Sequence, residues 1–429
     1  MARLIGYLWL STLTFWSLTV NAQDWTAYFG SHYRVEAWAG SIRDPQGAGF
    51  FSAEYGADQL ALLAKLGSNK QLVYSPGGLG SGRSEAAVDH YLTHMLLTLG
   101  EDWKTQLQAN IAKIPTSAAP VYWQFGNEIN SRRFSETIAA WDGAHAGGRP
   151  RPGRAHDAAT IPYYVEYYLA PGVAAIRSSK HSERVKVVLG SLAAAANPRA
   201  QAFLDALLNY QVQGLMAESL KGKRVYELVD VIALHYIASA NTPQWRSTLD
   251  QLYKKWLSTG KVAAIWSTEE VGLQRATRNE GAAAGLMVVA RTMDWWLSKG
   301  MPPEQGRAFL WGADRGLKGT TTAGAMQALY DTIGKSHWQV LPQPAPLSGD
   351  NLDVYGFALQ PSGRQLWFAM PADQRRGARV AVSSSLTKSL NTVVAAYRYS
   401  PQGEHRGLPN SGFELAPGSA LWLLLEAKK

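Results

Sequence analysis

From about residue 25 to residue 337, short apolar runs of strand length alternate with long helical stretches. This alternation constrains the fold more than any other feature, because strand–helix–strand units build a parallel sheet with crossover connections. The clearest strand runs are Gln71–Tyr74, Val121–Phe125, Val185–Leu189, Val231–His235, Ala263–Thr268 and Ala308–Trp311. Helical patterns occupy 57–66, 85–99, 163–178, 200–210, 245–258 and 281–298. Two further strands are expected within residues 26–60. A span of about 310 residues suits an eight-stranded α/β barrel. The expected class is therefore α/β, a (β/α)8 TIM barrel with a C-terminal all-β sandwich.

The second part of that expectation comes from a change of rhythm near residue 338. The proline-rich stretch 338–350 reads as a boundary. Beyond it lie short alternating segments, 353–359, 365–370, 379–382, 392–399 and 419–426, separated by Pro, Gly, Ser and Asn. Such spacing is that of a β-sandwich. The expected division is residues 1–22, 23–337 and 338–429, with a strand from the start of the mature chain as a candidate addition to the sandwich.

Residues 1–22 read as a signal peptide. Arg3 is followed by an apolar run over 4–20, and Val20-Asn21-Ala22 is a small-residue cleavage site. An uncleaved anchor helix is the competing reading. Export to the periplasm or the cell exterior follows, with no stable membrane span after cleavage. Losing Arg3 lowers the formal net charge from +9 to +8. The chain has no cysteine, which excludes disulfides, thiolate metal sites and thiol nucleophiles. A basic exported protein can meet an anionic surface, an acidic glycan or nucleic acid, but no nucleic-acid module signature is visible. Sixteen tryptophans favour a carbohydrate partner, since sugar rings have apolar faces that stack on indoles.

In an α/β barrel the chemistry sits where strands end. The fourth strand ends in Gly126-Asn127-Glu128, the sixth in His235-Tyr236, the seventh in Glu269-Glu270 and the last in Trp311. Glycoside cleavage needs such a set. One carboxyl protonates the leaving oxygen, and a second attacks the anomeric carbon. Asn127 offers a donor and an acceptor for a sugar hydroxyl. Tyr236 and His235 are suited to supporting the carboxylates, and Trp311 to forming a flat floor under a ring. Trp123 is a weaker candidate for sugar contact, with packing as its preferred role.

These residues resemble the clan A retaining glycosidases. Trp123-Gln-Phe-Gly-Asn-Glu-Ile-Asn130 resembles the strand-four Asn-Glu motif, and Trp266-Ser-Thr-Glu-Glu-Val-Gly272 resembles strand seven. Trp311 matches strand eight, and the C-terminal strands look like the side sandwich of some member families. The xylosidase/iduronidase-like branch, including bacterial exopolysaccharide hydrolases, is the nearest in pattern. The resemblance implies a double-displacement hydrolase of an extracellular or cell-envelope polysaccharide or oligosaccharide, with no metal or organic cofactor. It implies Glu128 as acid/base and a strand-seven glutamate as nucleophile. Here two glutamates compete, and neighbouring strand residues point to opposite faces. Glu269 is preferred and Glu270 is the alternative. A glycan-binding protein that has lost catalysis, and a transglycosylase, are the rival readings.

Other features carry less. His90 and His94 lie four apart on a helical stretch, but no third metal ligand accompanies them. Gly77–Gly82 lacks the phosphate-loop lysine and reads as a rim loop. Arg132, Arg133, Arg149, Arg151 and Arg154 crowd the segment after strand four. Arginine forks bind carboxylates well, so Arg149 and Arg151 are candidate contacts to an acidic glycan. A solvated basic loop is the equal alternative.

Overall fold

The protein is described by a computed structural model covering residues 24–32, 51–53, 72–74, 108, 121–126, 128–132, 135, 154–180, 182–239, 244–311, 321–342, 345–383, 391–409 and 412–427. The expected leader 1–22, the candidates His90, His94, Arg149, Arg151 and Asn127, and the stretches 57–66, 77–82 and 85–99 expected as helices and a rim loop lie outside these residues.

Eight parallel strands pair in sequence order: β1 (Phe29–His32), β2 (Phe51–Ala53), β3 (Leu72–Tyr74), β4 (Val121–Phe125), β5 (Val185–Leu189), β6 (Val231–His235), β7 (Ala264–Glu270) and β8 (Gly306–Trp311). Strand β8 also pairs with β1, Phe29 against Ala308 through His32 against Trp311, which closes the sheet on itself. Successive side chains on a strand point to opposite faces. One set, Tyr122, Val188, Val231, Ala233, Ala264, Trp266 and Phe309, forms a separate buried cluster that fills the inside of the ring. The alternate set, including Trp123, Phe125, Val187, Leu189, Ile232, Leu234, Ile265 and Leu310, joins the larger core beneath the helices.

Described helices follow five of the strands, β4 to β8. The first, α1, runs Ile161–Tyr164, passes through a π-helical turn at Val165–Leu169 and continues as Ala170–Arg177. Helix α2 (Pro198–Asn209) begins as its sequence dictates, with the Asn197 side chain accepting from the Arg199 N–H and proline in the first turn. Helix α3 (Trp245–Leu252) extends through a second π-helical turn, Tyr253–Leu257. Helix α4 (Glu280–Ser298) is buried on nearly every face. It packs on β8, on α5 (Thr321–Ile333) and on the C-terminal sheet, so it has no polar side to present. The sequence pattern did not disclose α5, whose threonines and glycine are weak helix formers. Packing on α4 supplies what propensity lacks: a Cβ at Gly285 would stand only 3.0 Å from the Thr322 Cγ2.

The remaining strands are antiparallel. Six form one sheet in the order β15 (Gly403–Arg406), β14 (Asn391–Ser400), β17 (Ala420–Ala427), β12 (Gln365–Pro371), β11 (Leu352–Gln360) and β9 (His337–Val340). Three form another, in the order β10 (Leu347–Ser348), β13 (Ala378–Val382) and β16 (Phe413–Leu415). Part of the stretch read from sequence as a connection is thus strand β9. An isolated bridge between Asp24 and His337 joins the residues before β1 to this region. Among the described residues no helix is long and apolar enough to cross a membrane.

Candidate active site

The strand ends carry the site, and their corners are unusual. Glu128, Tyr236 and Val271 follow β4, β6 and β7, with φ of 47°, 52° and 76°. Non-glycine residues avoid this left-handed region, and such corners cluster at functional sites where surrounding contacts hold them.

At the β4 corner those contacts come from the end of β5. The Glu128 N–H donates to the Ser191 Oγ at 3.0 Å, and the Ile129 N–H to the Ser191 carbonyl at 3.0 Å. Asn130 clamps the same segment in both directions: its Oδ1 accepts from the Ala193 N–H, and its Nδ2 donates to the Ala193 carbonyl. The buried Tyr164 hydroxyl donates to the Phe125 carbonyl at 2.7 Å and accepts from the Gly190 N–H at 3.1 Å. Gly190 is required there, because a Cβ would approach the Phe125 carbonyl oxygen to 2.4 Å.

The β6 and β7 ends place the remaining groups. His235 shares the inward face with Val231 and Ala233 and is 0% exposed. Its Nδ1 lies 3.3 Å from the Glu128 Oε1 and 3.7 Å from the Glu269 Oε2. Those two carboxylate oxygens are therefore within about 7 Å of each other. Burial is the largest influence on His235 and works against its charge, but Glu269 and Glu128 together lift its pKa above the ordinary value, with a further contribution from Glu270. The imidazole thus lies between two carboxyl groups that both favour its protonated form.

A bulge decides which glutamate faces His235. Along β6 and β7, Leu234 pairs with Ser267, but His235 pairs with Glu269, so Thr268 is the extra residue. Against β8 the same slip occurs between Ser267 and Glu270. Ala264 and Trp266 face inward, and strict alternation would turn Glu270 inward as well. The bulge reverses the parity and re-aims Glu269 at His235. Glu270 instead faces Leu310 in the ladder and is 0% exposed. Its oxygens accept from the backbone N–H groups of Ile237, Ala238 and Ser239 at 2.9–3.0 Å, from the Ser267 hydroxyl at 2.6 Å, and from the Ser239 hydroxyl. A carboxylate so enclosed has no free face for a substrate.

The other candidates divide. Tyr236 stands beside His235, ring centroids 5.7 Å apart, and its N–H donates to the Glu269 carbonyl. Its ring lies over Gly272, where a Cβ would meet it at 3.5 Å. Trp311 ends β8 at the same rim, opposite His32, with its side chain outside the described residues. Trp123 is 1% exposed in the core under the helices, which makes it a packing residue and corrects its candidacy as a sugar contact. Sequence reading overlooked Ser191 and Asn130. The clue was the Gly190-Ser191 ending of β5, a fifth strand end beside the other four. It also overlooked His156, whose φ is 59° and whose Nδ1 meets the Asn130 Nδ2 at 3.0 Å. Since that amide nitrogen donates, the Nδ1 accepts and the ring is neutral; burial and the charge of Arg199 lower its pKa. Among the described residues no group of His, Asp and Glu could hold a metal ion.

No family model matches the chain, and no curated protein matches it. Several solved glycoside hydrolases are similar to it in structure. A family 51 α-L-arabinofuranosidase, AbfB from Bifidobacterium longum, is 12% identical, with 94% of this chain and 97% of that one covered at a TM-score of 0.47. The β-porphyranase BpGH86A of family 86, from the gut bacterium Bacteroides plebeius, is 12% identical, covering 95% and 75% at 0.46. BuGH86, in complex with neoagarooctaose, is 10% identical, covering 87% and 66% at 0.45. At such similarity the weight of any functional reading falls on the side chains of this chain.

Proposed function

We propose that the chain is a retaining glycoside hydrolase built on a (β/α)8 barrel, residues 23–337, with residues 338–429 as a β-sandwich unit. The observation that carries this reading is the His235 imidazole set between Glu128 and Glu269. A carboxylate separation bounded at about 7 Å, on different strand ends of one mouth, leaves room for the roughly 5–5.5 Å spacing that double displacement uses. Glu128 is the more exposed and acts as acid/base, because it must exchange a proton with the leaving group and with water. Glu269, 8% exposed, is the nucleophile, sheltered from water that would compete for the sugar.

In the first step Glu128 gives its proton to the glycosidic oxygen while Glu269 attacks the anomeric carbon, and the bond to the departing alcohol breaks. In the second, Glu128 takes a proton from water, the water oxygen bonds to the anomeric carbon, and Glu269 leaves as a carboxylate. His235 holds the two side chains toward one centre throughout.

The substrate is an extracellular or cell-envelope polysaccharide, reached after export directed by residues 1–22. An acidic glycan is favoured by the net charge of +8 that remains once Arg3 is lost from the full-chain +9, and by exposed Arg154 and Arg199 beside the turn that follows Glu128. Asn127, Trp311, Arg149 and Arg151 are proposed substrate contacts at that mouth.

Incubation with a panel of 2-deoxy-2-fluoro glycosides, followed by peptide mass mapping, tests the reading. A glycosyl adduct on Glu269 supports it. An adduct on Glu270, or turnover with inverted anomeric configuration, overturns the assignment.

A further inference from the structure

The second glutamate of the pair has no role in the chemistry above, yet it is the most completely enclosed acid at the site. The segment 236–239 is gripped from both sides. The N–H groups of Ile237, Ala238 and Ser239 converge on the Glu270 carboxylate. The segment's carbonyls face the other way, toward two guanidinium groups: the Arg291 Nη1 donates to the Ala238 carbonyl at 3.0 Å, and the Arg275 Nη1 to the Ser239 carbonyl at 3.2 Å. A run of peptide N–H groups closing on one anion is a nest, rigid because every donor is committed.

Arg291 carries the connection outward. It lies on α4, is 1% exposed, and its Nη2 stands 3.7 Å from the Asp353 Oδ2 on β11 of the C-terminal sheet. Its Cζ also lies 5.4 Å from the Trp245 ring, which fixes the guanidinium plane from below. Asp353 receives the Tyr355 hydroxyl at 3.4 Å. The path therefore runs from a sheet outside the barrel, through one buried arginine, to the peptide behind His235 and Tyr236.

We propose that Glu270, Arg291 and Asp353 form a positioning relay by which the C-terminal sheet fixes the His235–Tyr236 corner against Glu128 and Glu269. The proposal rests on the reading of that pair as the reacting carboxylates. None of the three relay residues touches substrate. Removing one partner from a buried charge network leaves the others unpaired, so the corner relaxes instead of simply losing one contact. Because Tyr236 is in a left-handed conformation and its N–H binds the Glu269 carbonyl, relaxation changes the distances from His235 to both carboxylates.

The test uses the full chain and three variants, Asp353→Asn, Glu270→Gln and, as a control on an exposed turn of the C-terminal region, Asp373→Asn. Two readouts are taken: kcat and KM with their pH profiles, and the titration of the His235 ring followed by NMR. The groups facing that ring are Glu128 after β4, Glu269 and Glu270 on β7, and Tyr236 beside it. Expected for Asp353→Asn is a fall in kcat of about two- to thirtyfold with KM unchanged, together with a shifted His235 titration. Glu270→Gln moves both readouts further, and Asp373→Asn moves neither. If Asp353→Asn lowers only the melting temperature, leaving kcat, the pH profile and the His235 titration as in the wild type, the relay is wrong. If no glycan is turned over, the NMR arm still decides: a shifted titration keeps the relay while the hydrolytic reading falls, and an unshifted one removes the relay.

Discussion

Glu269 stands opposite His235 in the β6–β7 ladder because Thr268 is the extra residue of a bulge there. The extra residue turns the carboxylate inward and turns its neighbour Glu270 into the wall. The proposed reacting pair is then completed by Glu128, whose left-handed backbone is braced by Ser191.

Replacing the acid/base separates two kinds of substrate. Glu128→Gln is expected to cut turnover of natural glycans by roughly 10²–10⁴-fold, since proton donation to a poor leaving group is lost. Aryl glycosides with acidic phenols, which leave unaided, lose far less in the first step. Steady-state kcat/KM on both classes checks this, and equal losses would remove Glu128 from the role.

The buried imidazole makes stability depend on pH. The folded-state pKa of His235 is raised above 6.5 by Glu269 and Glu128, against the lowering effect of burial. Its contribution is therefore complete below the unfolded value and is lost as pH rises through the folded one. Urea unfolding of wild type and His235→Gln between about pH 5 and pH 8 should show the wild type losing stability relative to the variant across the upper part of that window. A constant difference would contradict the charged pairing.

The brace behind Glu128 is testable at Gly190. Gly190→Ala puts a methyl 2.4 Å from the Phe125 carbonyl oxygen and 2.5 Å from Ile129. A backbone atom cannot swing aside as a side chain can, so the expected cost is about 1–3 kcal/mol, with kcat reduced because Ser191 moves with it. Denaturant titration together with kinetics reads both effects. Wild-type values in each would show that the β4 and β5 ends are looser than their hydrogen bonds imply.

Substrate charge is expected to register at the rim. The double variant Arg154→Ala/Arg199→Ala should raise KM for an acidic oligosaccharide and leave KM for a neutral one alone. Raising the ionic strength should weaken wild-type binding of the acidic ligand in the same direction. Parallel changes on both ligands would point to an ordinary solvated surface.

Much of the barrel was legible because burial imposes a period on a strand. β4, β5 and β6 coincide with the apolar runs at 121–125, 185–189 and 231–235, and the C-terminal strands β11, β12 and β14 with their alternation. Short strands such as β10 and β16 left no such pattern, since two or three residues cannot display a period. Strand ends drew attention to Glu128, His235 and Glu269, which the structure brings together, because acids and imidazoles stand out after apolar runs. The choice between Glu269 and Glu270 was hidden, as a bulge changes parity without changing composition. Arg291 was hidden too: it sits within an apolar helix, and its partners Ala238 and Asp353 are distant in the chain.

The enclosure of Glu270 has a practical bearing on how this pair should be studied. Glu269→Ala and Glu270→Ala are both expected to slow the protein, one for want of the proposed attacking group and the other because its corner has come undone. An alanine screen scored only by loss of rate would place both among the essential residues. Only a method that marks the atom bonded to sugar tells the worker from its scaffold.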